Sequence, residues 1–351
     1  MSNTISKREL SITRTVCIGG GTGVPSSIKA LSSLGINPDA VISVADDGGS
    51  SGLLRTHTGQ VPPGDLRKCL VALARNQQSP WVKAFRERFE YANNHSLGNL
   101  ILTALQMTTG SLIESIELCE LLLDTCGHVY PATLNSVFLS GETRDGQRVI
   151  GQSNLCKSET ALARVLLEPD DPEANPTAVK AIVESDLLVL GPGSLFTSII
   201  PNLLIPGIRE AIQRSKAACV FICPIADVQG ETWGLDAEEL TEALLVHGLE
   251  GRLDYVLING QDNKRESGNV NSMFAAIGPQ TITENEPQAR EIPAIRPVNA
   301  PNDVIAHIRK RGIKVLLRDM RSSQIPSWHD PQALAKAFAS IIADSKRRTA
   351  L

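Results

Sequence analysis

A short apolar run at residues 15–18 leads straight into Gly19-Gly20-Gly21-Thr22-Gly23, and a helical pattern over residues 25–34 begins at once. A strand that turns through five Gly and Thr residues into a helix leaves a nest of backbone N–H groups at the positive helix end, which is what a phosphate needs. The spacing also states which phosphate loop this is not. A dinucleotide fingerprint needs G-x-G-x-x-G, but Val24 and Ser26 stand where its last glycine belongs, and no lysine follows as a Walker loop requires. A tight turn without a ligand is the plain alternative, although turns rarely need five such residues in succession.

Residues 40–45 read as a second buried strand, and Asp46-Asp47-Gly48-Gly49-Ser50-Ser51-Gly52, continued to Arg55, has loop composition. Helical spacing follows over 65–74, 81–91, 96–107 and 111–123. The stretch 133–155 alternates about Asp145-Gly146 and reads as an inserted β-hairpin. A Pro- and acid-rich linker at 168–176 precedes a helix over 177–184. Short apolar strands at 186–190, 218–223, 255–258 and 314–317 then alternate with amphipathic helices. The last helix runs from Pro331 to about Lys346 with Asp330 as N-cap. Residues 261–301 are polar and give no element, and about the first 12 residues are expected to fray. The fold class is α/β: one three-layer α/β/α unit over residues 1–351, with a mostly parallel sheet and the hairpin inserted into it.

The formal charge is −4 and no long basic run occurs, so the footprint of a nucleic-acid binder is missing; a small anion would need local positive potential. Seven cysteines lack close CxxC pairs and several sit in apolar runs, as reduced core thiols do. The polar start and the lack of any span-length apolar window predict a cytoplasmic chain with no membrane span.

In a parallel sheet the loop at 46–55 opens at the same carboxyl edge as the glycine loop. Asp46 and Asp47 there are placed to hold Mg²⁺, bond a ribose or orient a nucleophile, and Ser50, Ser51 and Arg55 to contact further oxygens. An Asx-type turn with solvated charges is the alternative. Asp65 is expected to cap a helix that carries Arg67 in its first turn, an unusual place for a cation unless it meets an anion. His95, Gly98 and Asn99 open another helix with donors for a phosphate or base edge. Gly191, Gly193 and Ser194 repeat the order of strand, glycine turn and hydroxyl-bearing helix start. They lack the last glycine of a nucleophile elbow, so a second anion-binding turn fits better than a serine nucleophile. Residues 225–232 and Asn259-Gly260 follow strands and are placed for base or sugar contacts.

The blocks CIGGGTG, SVADDGGSSGLLR, PPGDLRKCLVAL, HSLGNL and DLLVLGPGSLFTSIIPNLL, with weaker echoes in DYVLIN and HDP, are similar to those of the YvcK/CofD-like family. The resemblance implies a Rossmann-like fold shared with the 2-phospho-L-lactate transferases, which join a nucleotide-activated phospholactate to a deazaflavin alcohol with Mg²⁺. The YvcK branch, the gluconeogenesis factors, implies instead a regulatory protein that binds UDP-sugars such as UDP-N-acetylglucosamine, tied to cell shape under gluconeogenic growth. By position, Gly19 to Gly23, Asp46, Asp47, Asn99 and Gly191 to Ser194 would surround the ligand. An assembly of identical subunits is expected. The run PIADVQGETWGLDAEEL departs from the family wording.

Overall fold

Seven strands form one parallel sheet because their residues are apolar on both faces: TVCIG, LLVL and ACVFI have no polar side to present to water. The computed structural model of the chain describes residues 7–228, 230–260 and 295–349. Strands β1 (Thr15–Gly19), β2 (Asp39–Ile42) and β3 (Val129–Pro131) come first. Three further strands, β4 (Phe138–Thr143), β5 (Arg148–Ile150) and β6 (Leu162–Glu168), make a separate antiparallel sheet. The parallel sheet resumes with β7 (Leu187–Leu190) and β8 (Ala218–Ile222). After β9 (Ala226–Val228) come β10 (Tyr255–Asn259), β11 (Ile295–Pro297), which pairs with β9, and β12 (Lys314–Arg318). The order across the large sheet is β12-β10-β8-β7-β1-β2-β3.

That order reverses at β1. The chain leaves β1 toward β2 and β3 on one side, then returns to lay β7, β8, β10 and β12 on the other. Loops on either side of such a switch point diverge and leave a crevice at the carboxyl ends of the strands. Flanking helices close the layers: α1 (Val24–Ser33) packs between the helix Gly64–Leu73 and the long C-terminal helix Pro331–Thr349, while Pro176–Glu184 packs on Pro206–Arg214. Among the described residues no single helix is long and apolar enough to cross a membrane.

Several expectations need correction. The hairpin is narrower than residues 133–155 and gains a third strand, β6, whose Val165 and Leu167 face the core beside Leu139. Residues 152–155 are a helical turn instead of a strand. The helix expected over 81–91 stops at Arg86, because Arg88–Phe89 pairs with His95–Ser96. Lys7–Ser11 is a short helix, with Leu10 buried and the Glu9 carbonyl accepting from Lys346 at 2.8 Å, so the expectation of fraying over the first 12 residues does not hold for it. Of the unassigned stretch 261–301, residues 261–294 lie outside the described residues.

Candidate functional site

The two glycine turns lie against each other. β1 and β7 are parallel neighbours, and the turn after each sits at the same sheet edge. A Cβ on Gly23 would stand 2.0 Å from the Pro192 carbonyl oxygen, and one on Gly193 3.6 Å from that of Gly20. Further bonds lock the pair: the Ser27 hydroxyl donates to the Gly191 carbonyl at 2.8 Å, and Asn202 donates to that of Gly19 at 3.2 Å. Gly21 and Gly191 need glycine for another reason, with φ of 65° and 85°. Over these turns, at the switch point, opens a cavity of about 280 Å³ lined by Thr22, Gly23 and Ser26 from the first and Pro192 to Leu195 from the second.

The first nest already holds a carboxylate. Asp65 does not cap its helix, which starts at Gly64 after Pro63; it reaches across to accept from the Gly21 N–H at 2.5 Å and from Lys68 Nζ at 2.9 Å. Asp46 lies beside it, and burial first, then the Asp65 charge, raise its carboxyl above the usual range. Two crowded carboxylates at a phosphate nest suit a divalent cation, and Mg²⁺ commonly takes one or two carboxylates together with ligand phosphates. No group of three or more metal-ligating side chains exists among the described residues.

Asp47 is used differently. Its two oxygens accept the Gln152 and Ser153 N–H groups at 2.8 Å each, so it caps the turn before β6 and ties the antiparallel sheet to β2. Asp47→Ala is expected to cost about 1–2 kcal/mol of stability in urea titration, while ligand affinity in calorimetry stays within about twofold. A large loss of affinity at unchanged stability would return Asp47 to the ligand site.

The stretch after Asp47 is a helix, α2 (Gly49–Thr58), not a loop. Glycine there serves packing: a Cβ on Gly52 would meet the Asp47 carbonyl oxygen at 1.9 Å. The helix aims Ser50 at two partners, since its hydroxyl meets His95 Nδ1 at 2.8 Å and accepts from Asn99 Nδ2 at 2.9 Å. Asn99 Oδ1 in turn accepts from Arg67 Nε at 2.9 Å. Burial lowers the Arg67 pKa to about 10 and, with His57 and Arg88 nearby, lowers that of His95. Gly98 makes room, for its Cβ would stand 2.8 Å from Arg67 Cδ. Ser51 bonds the Asp46 carboxylate. Arg55 turns away: its Nη2 donates to Ser136 Oγ at 3.0 Å and the Val137 carbonyl at 2.5 Å, with the guanidinium over Phe138.

The cavity's other walls carry residues that sequence patterns did not single out: Cys156, Trp328 and His329, and above all Glu231. Glu231 falls in the span 225–232 expected to reach the ligand, but nothing in GET marks a buried acid. Of the HDP echo, His329 lines the cavity, and Asp330 caps the last helix as its position predicts, accepting from Gln332 and Ala333 at 2.7 and 2.8 Å. Asn259 does not reach the cavity; its side chain accepts from the Met320 N–H at 2.9 Å.

Comparison with known proteins finds relatives of the whole fold. The family described as 2-phospho-L-lactate transferase CofD matches residues 15–294. A gluconeogenesis factor of Halalkalibacterium halodurans is 40% identical over 250 residues, covering 70% of this chain and 77% of that protein. The gluconeogenesis factor of Bacillus subtilis is 38% identical over 295 residues, covering 82% and 92%. A crystal structure of a UPF0052-family protein from Bacillus halodurans superposes with a TM-score of 0.80 at 33% identity, covering 93% of this chain and 98% of that one. With a site built on both signature glycine turns and relatives aligned over most of its length, the chain belongs to the CofD family and to its gluconeogenesis-factor type.

Proposed function

We propose that the protein binds a nucleoside diphosphate sugar of the UDP-N-acetylglucosamine type in the cavity at the switch point. Its role is then regulatory, in cell morphogenesis under gluconeogenic growth, as the resemblance to the YvcK branch implies. The observation that carries this reading is the direct packing of the two glycine turns, which offers one diphosphate amides from both strand ends. The cavity walls support binding over covalent chemistry: burial pushes the Cys156 thiol up to about 12, and Ser194 faces an acid, not a histidine base. Their attraction for an anion is that of amides and helix ends, for no Lys or Arg lines the cavity among the described residues.

The crowding of Asp46 against Asp65 favours a second reading, an Mg²⁺-dependent transfer from a nucleotide-activated donor to an alcohol. Asp46 and Asp65, in place of the expected Asp46 and Asp47, would hold the ion jointly with the ligand phosphates, and the ion would neutralise charge on them. Asp46 then acts by positioning that charge against the Gly21 turn.

Calorimetry with UDP-N-acetylglucosamine, with and without Mg²⁺, tests both. Saturating ligand is expected to raise stability by about 2.7 kcal/mol at a hundredfold excess over Kd. Asp46→Asn is expected to remove the Mg²⁺-dependent part of the affinity, roughly tenfold, and leave Mg²⁺-free binding nearly unchanged. Tight binding of another nucleotide with no heat from UDP-sugars would reject the first reading. Nucleotide release that survives Asp46→Asn would reject the second.

A further inference from the structure

The second glycine turn, like the first, already holds an internal acid. Glu231 is 8% exposed, and its carboxyl lies at the start of the helix Leu195–Leu203, facing the Ser194 and Thr197 hydroxyls and the Leu195 and Phe196 amides. Its Oε2 is buried with no hydrogen-bond partner among the described residues. The segment that delivers it is held closely: a Cβ on Gly230 would meet the Cys156 carbonyl oxygen at 2.3 Å, and the Glu231 carbonyl accepts from the Leu162 N–H at 2.9 Å. The donors a phosphate would need at this turn are thus facing a carboxylate that the fold holds in place.

We infer that Glu231 and the ligand phosphate compete for the helix start at Ser194 to Phe196, so that an anionic ligand binds there only with Glu231 protonated and takes up one proton from solvent as it enters. This rests on the reading of the cavity as a nucleotide diphosphate site. Two negative groups cannot share one set of donors in a walled cavity that has no lining Lys or Arg among its described residues. The half-satisfied carboxyl is the group able to give up its charge. Burial already raises its pKa to about 7, against the opposing pull of the hydroxyls and amides around it. The other titratable groups near it stay neutral near pH 7: the Cys156 thiol is pushed up to about 12, His329, donating Nε2–H to the Cys223 carbonyl, is pushed down to about 4, and His247 against Phe196 is lowered by burial. Asp46 and Asp47 act on this wall through Cys156, and their charge opposes a second anion in the same sense.

UDP-N-acetylglucosamine is a suitable probe because each of its phosphates carries one ester and one anhydride bond, leaving a single strongly acidic hydroxyl, so neither titrates near neutrality. Wild type and Glu231→Gln are compared by calorimetry from pH 6 to 8.5, in two buffers of different ionisation heat. Wild-type affinity is expected to be flat below about pH 7 and to fall roughly tenfold per pH unit above it, with uptake of about one proton at pH 8. Glu231→Gln is expected to show no proton uptake, no pH slope, and roughly tenfold tighter binding at pH 8. Equal slopes in the two proteins, or weaker binding by the Gln variant at every pH, would overturn the competition. Melting of the unliganded proteins checks the fold and reads the acid directly. A raised folded pKa stabilises at low pH and is lost as pH rises toward 7, so wild type should lose ground against Glu231→Gln between about pH 5 and 7 and hold level above. If that melting difference appears but neither protein binds any nucleotide at any pH, the nucleotide reading itself fails and the competition falls with it.

Discussion

Gly23→Ala is expected to abolish ligand binding and to lower stability by roughly 2–4 kcal/mol. The new methyl carbon would lie 2.0 Å from the Pro192 carbonyl oxygen, 2.4 Å from its carbon and 2.8 Å from the Gly193 nitrogen, all backbone atoms with no rotamer to yield. Relief requires the two turns to part, and the turns are the floor of the cavity. Gly35→Ala is the matched control: Gly35 has φ of 79° with nothing within 4 Å of its Cβ direction. It should cost only the backbone strain, about 1 kcal/mol, and leave binding intact. Urea titration with calorimetry on both variants separates the two effects. If Gly23→Ala binds nucleotide as wild type does, the packing of the turns is not what builds the site.

The second large effect is expected at Asn99. Its carboxamide is the middle of a buried chain, accepting from Arg67 and donating to Ser50, which also meets His95. Asn99→Ala strands the Arg67 guanidinium, itself 6% exposed, with its Nε unpaired. A buried cation that loses its acceptor costs about 2–4 kcal/mol. Asn99→Asp keeps an acceptor for Arg67, now a carboxylate that can pair with the guanidinium, and replaces the donor to Ser50 by a second acceptor, so it should recover most of that stability. A chemical denaturation series over the two variants checks this, and equal losses in both would show that the Ser50 contact, not Arg67, carries the energy.

The glycine turns were legible because their signal is local. Consecutive glycines after an apolar strand demand a backbone that other residues resist, and the repeat at Gly191 to Ser194 declared a second such place. Asp46, Asp65 and Asn99 were also marked, but with uses that only the packed chain reveals. Asp65 has the look of a helix cap, and becomes a partner of Gly21 across 44 residues. The stretch from Gly49 to Gly52 has the composition of a loop, yet winds as a helix because its small residues allow it to press on the Asp47 carbonyl, and packing overrides weak propensity. Glu231 was marked only as a member of the span 225–232 and not as a buried acid: a single acid in a polar run carries no period, and its burial is imposed by β6 and the second turn.

What the chain's own order of residues determined was which segments become strands and where glycine turns gather backbone amides at the carboxyl edge of the sheet, the place we propose for an anion. Hydrophobic period and glycine placement act within a few residues, so they can be read along the chain. Only the tertiary structure decided that β7 returns beside β1, that Asp47 leaves the site while Asp65 and Glu231 enter it, and that each nest holds a carboxylate of its own. Those outcomes depend on contacts between residues far apart in sequence, where burial and charge are set by whatever the fold brings near.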